Sequence, residues 1–420
     1  MTIMPRRAWR RLLQAIGAAA LTIHAVVPAS AEPLTYDEAL KLAVEQAPSL
    51  RARSLDTDAR RSSVIPAGQL PDPKLSFGFD NFPVSGPPAF TLGGDEMTMA
   101  RVGISQDLPN LGKRRARTGL ATADVGVAEA AQMAELRRVR VATALAWIDL
   151  AYAERRLALI DSILVELREL VSASVSAVAS GTARPAQALE TRQAIARLED
   201  RRSEIAAEVA RARAVLSRWT GDPNPEIEGL IPEFAIDPAA LRAGIDRHPD
   251  LALAMARTRQ SEAGVDVARA DKRPDWSFDV SYQRRYPRYG DMVSVGVKVD
   301  LPLFARRRQD PMIAASTASA GAARADQEDV RRALAADLEA GLADHAMHHE
   351  QWMRARDELL PLARQRADLE LASYSAGRAT LIDVIAAQTM FADAALLALD
   401  REALVARDGA RLVLTYGSDQ

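Results

Sequence analysis

The chain contains no cysteine, and that absence closes several options at once. Disulfides, thiolate chemistry and lipidation of a terminal cysteine are all excluded. A chain of 420 residues without covalent staples must rely on packing. After residue 31 there is also no run approaching the ~20 consecutive apolar residues of a membrane-crossing helix. If that part of the chain crosses a membrane, it must do so with strands. No phosphate loop, dinucleotide fingerprint or G-x-S-x-G elbow occurs. His349-Glu350-Gln351-Trp352-Met353 fails the H-E-x-x-H zinc-hydrolase pattern at its last position. No catalytic constellation is present, so neither an enzyme nor a cofactor is expected. An excess of positive charge is missing too. The formal net charge is −2, which points away from nucleic acid as a partner.

What is there begins with a basic start, Arg6, Arg7, Arg10 and Arg11, followed by an apolar run from Leu12 to Val27 and then Ala29-Ser30-Ala31. This order predicts a secretory signal peptide over residues 1–31 with an A-x-A cleavage site. A transmembrane anchor is the alternative, but the run is short and ends in small residues. Removing the segment takes four arginines and no acid, leaving a mildly acidic chain of formal charge −6. An exported protein with membrane strands points to a Gram-negative outer membrane.

A strand-like passage occurs twice. One copy runs from Pro73-Lys74-Leu75-Ser76-Phe77 to Gln106-Asp107-Leu108-Pro109. The other runs from Pro274-Asp275-Trp276-Ser277-Phe278 to Val299-Asp300-Leu301-Pro302. Both alternate apolar and polar residues and both end in Asp-Leu-Pro. Phe77 aligns with Phe278, Pro109 with Pro302 and Gly181 with Gly377, so the duplication is old and uneven. The expected organisation is a first repeat over 32–220, with a short helix, a β-hairpin at 74–108 and a long helical hairpin. A linker over 221–236, marked by Gly221-Asp222-Pro223-Asn224-Pro225, leads to a second repeat over 237–420 with its β-hairpin at 275–301. The two repeats are read as one intertwined domain.

Each repeat opens with a capped helix. Thr35-Tyr36-Asp37-Glu38 is a T-x-x-E capping box, and Asp237-Pro238 places Asp as cap with Pro at the first helical position. The stretch from about Leu111 to Ser180 reads as helix and would span roughly 100 Å if continuous. Leu157, Ile160, Leu164, Leu167 and Val171 step by three and four, which is a coiled-coil seam. Breaks are expected at Ser180-Gly181-Thr182, with a restart at Pro185, and at Ala376-Gly377, with a restart at Thr380.

The strands place Leu75, Phe77 and Phe79 on one face, as they do Ala100, Val102 and Ile104. Trp276, Phe278, Val280 and Tyr282 share a face, and so do Val293, Val295, Val297 and Val299. Apolar to lipid and polar to lumen is the pattern of an outer-membrane barrel wall. A soluble sheet packed on helices would show the same alternation, although Lys298 and Asp300 are easier to place against water than in a core. Four strands cannot close a barrel, since single-chain barrels begin at ~8, and an open edge is not tolerated in lipid. The barrel must therefore be shared between subunits. Lys113, Arg114, Arg115 and Arg117, and then Arg306, Arg307 and Arg308, follow the strand pairs. They read either as solvated helix starts or as neighbours of phospholipid headgroups.

Leu34-Thr35-Tyr36-Asp37-Glu38-Ala39-Leu40, the paired Asp-Leu-Pro strand ends, and Tyr374-Ser375-Ala376-Gly377-Arg378-Ala379-Thr380-Leu381-Ile382-Asp383-Val384 carry a resemblance to the TolC family of outer-membrane efflux proteins. It covers nearly all of the chain after residue 31. Leu301-Pro302-Leu303-Phe304 followed by Arg306 to Asp310 resembles the branch serving heavy-metal exporters. The resemblance implies a mainly α fold with a four-stranded β contribution. Long coiled-coil hairpins would form a periplasmic tunnel, and a twelve-stranded barrel would be shared by a homotrimer. It implies a passive exit duct that docks with a periplasmic adaptor and an inner-membrane pump of the resistance-nodulation-division type. The alternative weighed against it is a soluble periplasmic coiled-coil adaptor or scaffold.

The resemblance also implies that Gly181, Gln187, Gly377, Thr380 and Asp383 lie at the periplasmic tip, where acidic side chains constrict the entrance. Asp383 matches one such position. The family's second acidic position is Ala386 here, and Ala379 stands where relatives place a latching basic residue. With Thr380 as N-cap, Asp383 also reads as an ordinary capping carboxylate. His345, His348 and His349, with Met347 and Met353 nearby, could hold Cu(I), Ag(I) or Zn(II) transiently, or form a solvated helix face.

Overall fold

The computed structural model describes residues 33–179, 185–286 and 288–417. Within them the chain is mostly helical, with one four-stranded antiparallel sheet. The elements are α1 (Tyr36–Gln46), α2 (Pro48–Ala67), β1 (Lys74–Asp80), β2 (Met99–Leu108), α3 (Leu111–Ala179) and α4 (Pro185–Thr220). They continue as α5 (Pro238–Gly244), α6 (Pro249–Ala270), β3 (Asp275–Arg284), β4 (Met292–Asp300), α7 (Gln309–Arg354), α8 (Leu360–Ser375) and α9 (Leu381–Tyr416).

Local chemistry sets the boundaries. Thr35 caps α1 as its sequence predicts: its hydroxyl accepts from the Glu38 N–H, while the Glu38 carboxylate accepts from the Thr35 N–H at 2.9 Å. Asp237 caps α5 ahead of Pro238. Pro48 ends α1 and opens α2, since its fixed φ suits a first helical position and it offers no donor to a preceding turn. Ile160, Leu164 and Leu167 of the predicted seam are fully buried, and Leu157 is half-buried beside them. Val171 has no described side chain. They pack against Leu198 and Ile205 of α4 and Ile385, Ala392 and Leu396 of α9. The break at Ser180-Gly181-Thr182 lies outside the described residues, as does the expected signal peptide.

The second long helix is not continuous. α7 passes into one π-type turn at Ala355–Leu359 before α8. Pro361 supplies the reason. It lacks an N–H and its ring collides with a carbonyl one turn back, so the ladder slips locally by one residue.

Two clusters hold the middle of the molecule. Trp147 of α3 packs edge-on against Tyr36 with ring centroids 5.7 Å apart, among Ile148, Leu150, Tyr152 and Leu216. Its indole N–H donates to the Leu34 carbonyl at 3.0 Å. Leu334 and Leu338 of α7 meet Leu241, Leu251, Leu412 and Tyr416. The stretch 221–236 contains no helix, and it does more than connect. Leu34 donates to the Glu226 carbonyl at 2.7 Å and Ile227 bridges Leu34 in parallel. That pairing has no periodic signal and is not readable from sequence.

The sheet order is β1-β2-β3-β4. Two hairpins are expected from the duplication. The added finding is that β2 pairs with β3 from Ala100↔Arg284 to Leu108↔Trp276, so one ladder joins the two copies.

Candidate functional site

The register aligns the apolar faces of all four strands. Phe77 faces Val102, Val102 faces Tyr282, and Tyr282 faces Val293. One row nearer the helices, Leu75, Ile104, Val280 and Val295 form a second line. These side chains cover nothing and are covered by nothing in the protomer: Phe77 is 82% and Val295 72% exposed. Burying such a side chain is worth about 1.5–3 kcal/mol, so a whole face left in water is strongly unfavourable.

The opposite face is polar. Ser76, Gly103, Ser281 and Ser294 form one row. Gln283 donates to the hydroxyls of Ser281 and Ser294, each at 3.0 Å. Lys74 pairs with Asp107 at 2.6 Å, Arg101 with Asp80 at 3.2 Å and Lys298 with Asp279 at 3.4 Å. Gly103 is needed for this close pairing, because a Cβ there would sit 2.9 Å from that of Ser281. Strands β1 and β4 each have one edge unpaired among the described residues. The sheet is thus apolar on one side, polar on the other and open at both ends.

The sheet is tied to the helices at its base. Asp275, the first residue of β3, accepts from the backbone and side-chain N–H groups of Asn110 at 2.8 and 2.9 Å, and from Lys113 at 2.6 Å. Lys113 also pairs with Asp271 at 3.0 Å. Partial burial alone would lower the Lys113 pKa, but the hydrogen bonds it donates to Asp275 and Asp271 raise it. This junction is invisible in the sequence, since its members lie far apart in the chain.

At the other end, Gly377 adopts φ 72°, the left-handed conformation that closes α8. Thr380 caps α9: its hydroxyl accepts from the Asp383 N–H, and Asp383 Oδ2 accepts from the Thr380 N–H at 2.9 Å and its hydroxyl at 2.6 Å. Those bonds, side chain first and backbone second, hold the Asp383 carboxyl below its usual pKa. Gln187 is the third residue of α4. Gly181 lies outside the described residues. Between α4 and α9 runs a groove lined by Arg197, Arg201, Ile382, Ile385, Thr389 and Asp393.

The histidine patch does not converge. His348 bonds to Asp408 of α9 through Nδ1 at 2.6 Å, and the His345 and His349 rings stack at 6.3 Å. Burial lowers the His345 pKa. No group of three or more His, Cys, Asp or Glu placed to hold a metal ion occurs among the described residues.

Set against known proteins, this architecture has clear relatives. A profile of the outer membrane efflux protein family matches residues 39–222 and 241–418. The cobalt-zinc-cadmium resistance protein CzcC of Cupriavidus metallidurans is 23% identical over 368 residues, which cover 86% of this chain and 85% of that protein. A membrane protein from Pseudomonas aeruginosa superposes with a TM-score of 0.79 at 18% identity, covering 91% of this chain and 92% of the other. The CmeC outer membrane channel of Campylobacter jejuni gives 0.78 at 13% identity, covering 91% and 85%.

Proposed function

The chain belongs to the outer membrane efflux protein family, and from that premise we propose that it is the outer-membrane exit duct of a tripartite efflux system. The family is one of transport, and the chain is not an enzyme. Residues 1–31 direct export and are removed. Three copies pair β1 of one with β4 of the next into a twelve-stranded barrel, apolar outward. The helices extend into the periplasm and meet an adaptor and a proton-driven inner-membrane pump at their tip, where Asp383, Thr380, Gly377, Gly181 and Gln187 shape the entrance.

The observation that carries this reading is the continuous apolar face with two open edges. A soluble adaptor would hold that face in water, so the alternative is not favoured. The cargo proposed is heavy-metal cations. This rests on the likeness to CzcC and on the 301–310 segment. The histidines are given no part in it, and act as packing and pairing groups.

Reconstitution into planar bilayers tests the duct. A detergent-extracted trimer with stable conductance is expected, and a protein soluble without detergent that forms no pore would sink the reading. Deletion is expected to sensitise cells to cobalt, zinc and cadmium. Sensitivity confined to organic compounds would reassign the cargo.

A further inference from the structure

We propose that the groove between the start of α3 and the end of α6 seats the phosphate of an anionic phospholipid, whose acyl chains lie on the apolar face of β2 and β3. The inference rests on the membrane reading of the sheet.

Two adjoining depressions compose the seat. One is floored by small residues, including Gly112 and Gly119, and edged by Arg115, Arg269 and Arg273. The other is apolar, with Leu108, Trp276 and Phe278, and shares Gly112 and Arg273 with the first. A basic hollow thus opens directly onto the side of the sheet that faces lipid. The Arg273 guanidinium lies over Gly112, where an added Cβ would sit 2.6 Å from Nη1.

Charge accounting supports an anion. Neighbouring acids are already taken by lysines: Asp271 and Asp275 by Lys113, and Asp310 by Lys272 at 2.6 Å. Arg269 has Asp266 at 3.4 Å, with both side chains largely in solvent. Arg115 and Arg273 pair with no carboxylate among the described residues. Three guanidinium groups therefore face one carboxylate. A guanidinium fork matches a phosphodiester, and the adjoining apolar strip matches hydrocarbon. A free anion would make no use of that strip, so the occupant is a lipid.

Trp276 sits in the apolar half and reports on what occupies it. The full chain is reconstituted in mixed vesicles in which either phosphatidylglycerol or phosphatidylcholine carries bromine near the top of its acyl chains. At equal mole fraction, brominated phosphatidylglycerol is expected to quench Trp276 preferentially. Arg115→Gln and Arg273→Gln should each weaken that preference about fivefold, as expected for one cation at a lipid surface. Lysine at the same positions should keep most of it. Fully brominated vesicles check that each variant still inserts, and any variant that does not is replaced by Arg→Met at the same position, which also removes the charge. Equal quenching by the two lipids, or an unchanged preference after both Arg→Gln substitutions, overturns the seat and leaves the membrane wall standing. No quenching of the wild type by either lipid when fully brominated would overturn the wall itself, and the seat with it.

Discussion

Thr380 and Asp383 show how one pair of residues can fix a helix start. Their reciprocal bonds form the α9 cap, and Thr380→Ala should cost about 1 kcal/mol at that helix end. Faster amide exchange over 381–384, with exchange at α1 unchanged, is the expected result. The Asp383 pKa is lowered in the fold, so its contribution is complete above the ordinary carboxylate value. That contribution is lost as pH falls through the lowered value, and exchange at the start of α9 should rise in acid accordingly. His248 gives the opposite chemistry with the same direction. It is buried, caps α6 by accepting from the Asp250 N–H through Nδ1 at 3.1 Å, and burial lowers its pKa. Folding favours the neutral ring, so stability should fall as pH drops below the unfolded histidine value and stop falling below the folded one. His248→Asn keeps a cap and should flatten the thermal-stability profile between about pH 7 and pH 5. The Thr380 cap was legible from T-x-x-D spacing. The His248 cap was not, because histidine is an uncommon cap whose role depends on the burial of its ring.

Helix ends and strands were legible because proline, glycine and alternation act locally. Pro238 and Asp-Leu-Pro mark boundaries where the structure has them. The π-type turn before Pro361 is not readable from sequence, since a proline in a long helical stretch signals a disturbance without saying which form it takes. Packing between elements is the larger energy. Leu338 is fully enclosed where α5, α6, α7 and α9 meet, and Leu338→Ala should cost about 2–5 kcal/mol. Urea unfolding of the detergent-solubilised protein would read it, and a loss below 1 kcal/mol would mean that the cluster is loosely packed. Gly103→Val should act on pairing instead, by forcing β2 from β3 at Ser281. The expected readout is failure to assemble in vesicles with helix content retained.

For the molecule as a whole, the sheet has one apolar face and one polar face. Val280 lies mid-face on the apolar side, and Val280→Arg should cost about 2–4 kcal/mol of stability in a bilayer. Ser277→Arg, on the polar face, should cost much less, and folding titrations in vesicles would compare the two. Equal costs would mean that both faces meet water. Sequence alternation showed two hairpins but not their union, because nothing local to residues 100–108 names residues 276–284 as partners. That union has a consequence in time. The middle ladder joins strands from opposite halves of the chain, so its closure must wait until the second half has been made and delivered. Until then β2 presents a bare edge next to a greasy face, which is the form of strand that pairs with strangers. Contacts of such long sequence separation also form slowly. On the proposed reading, the chain reaches the membrane before it folds the sheet, and a fragment ending after the first repeat should aggregate rather than insert.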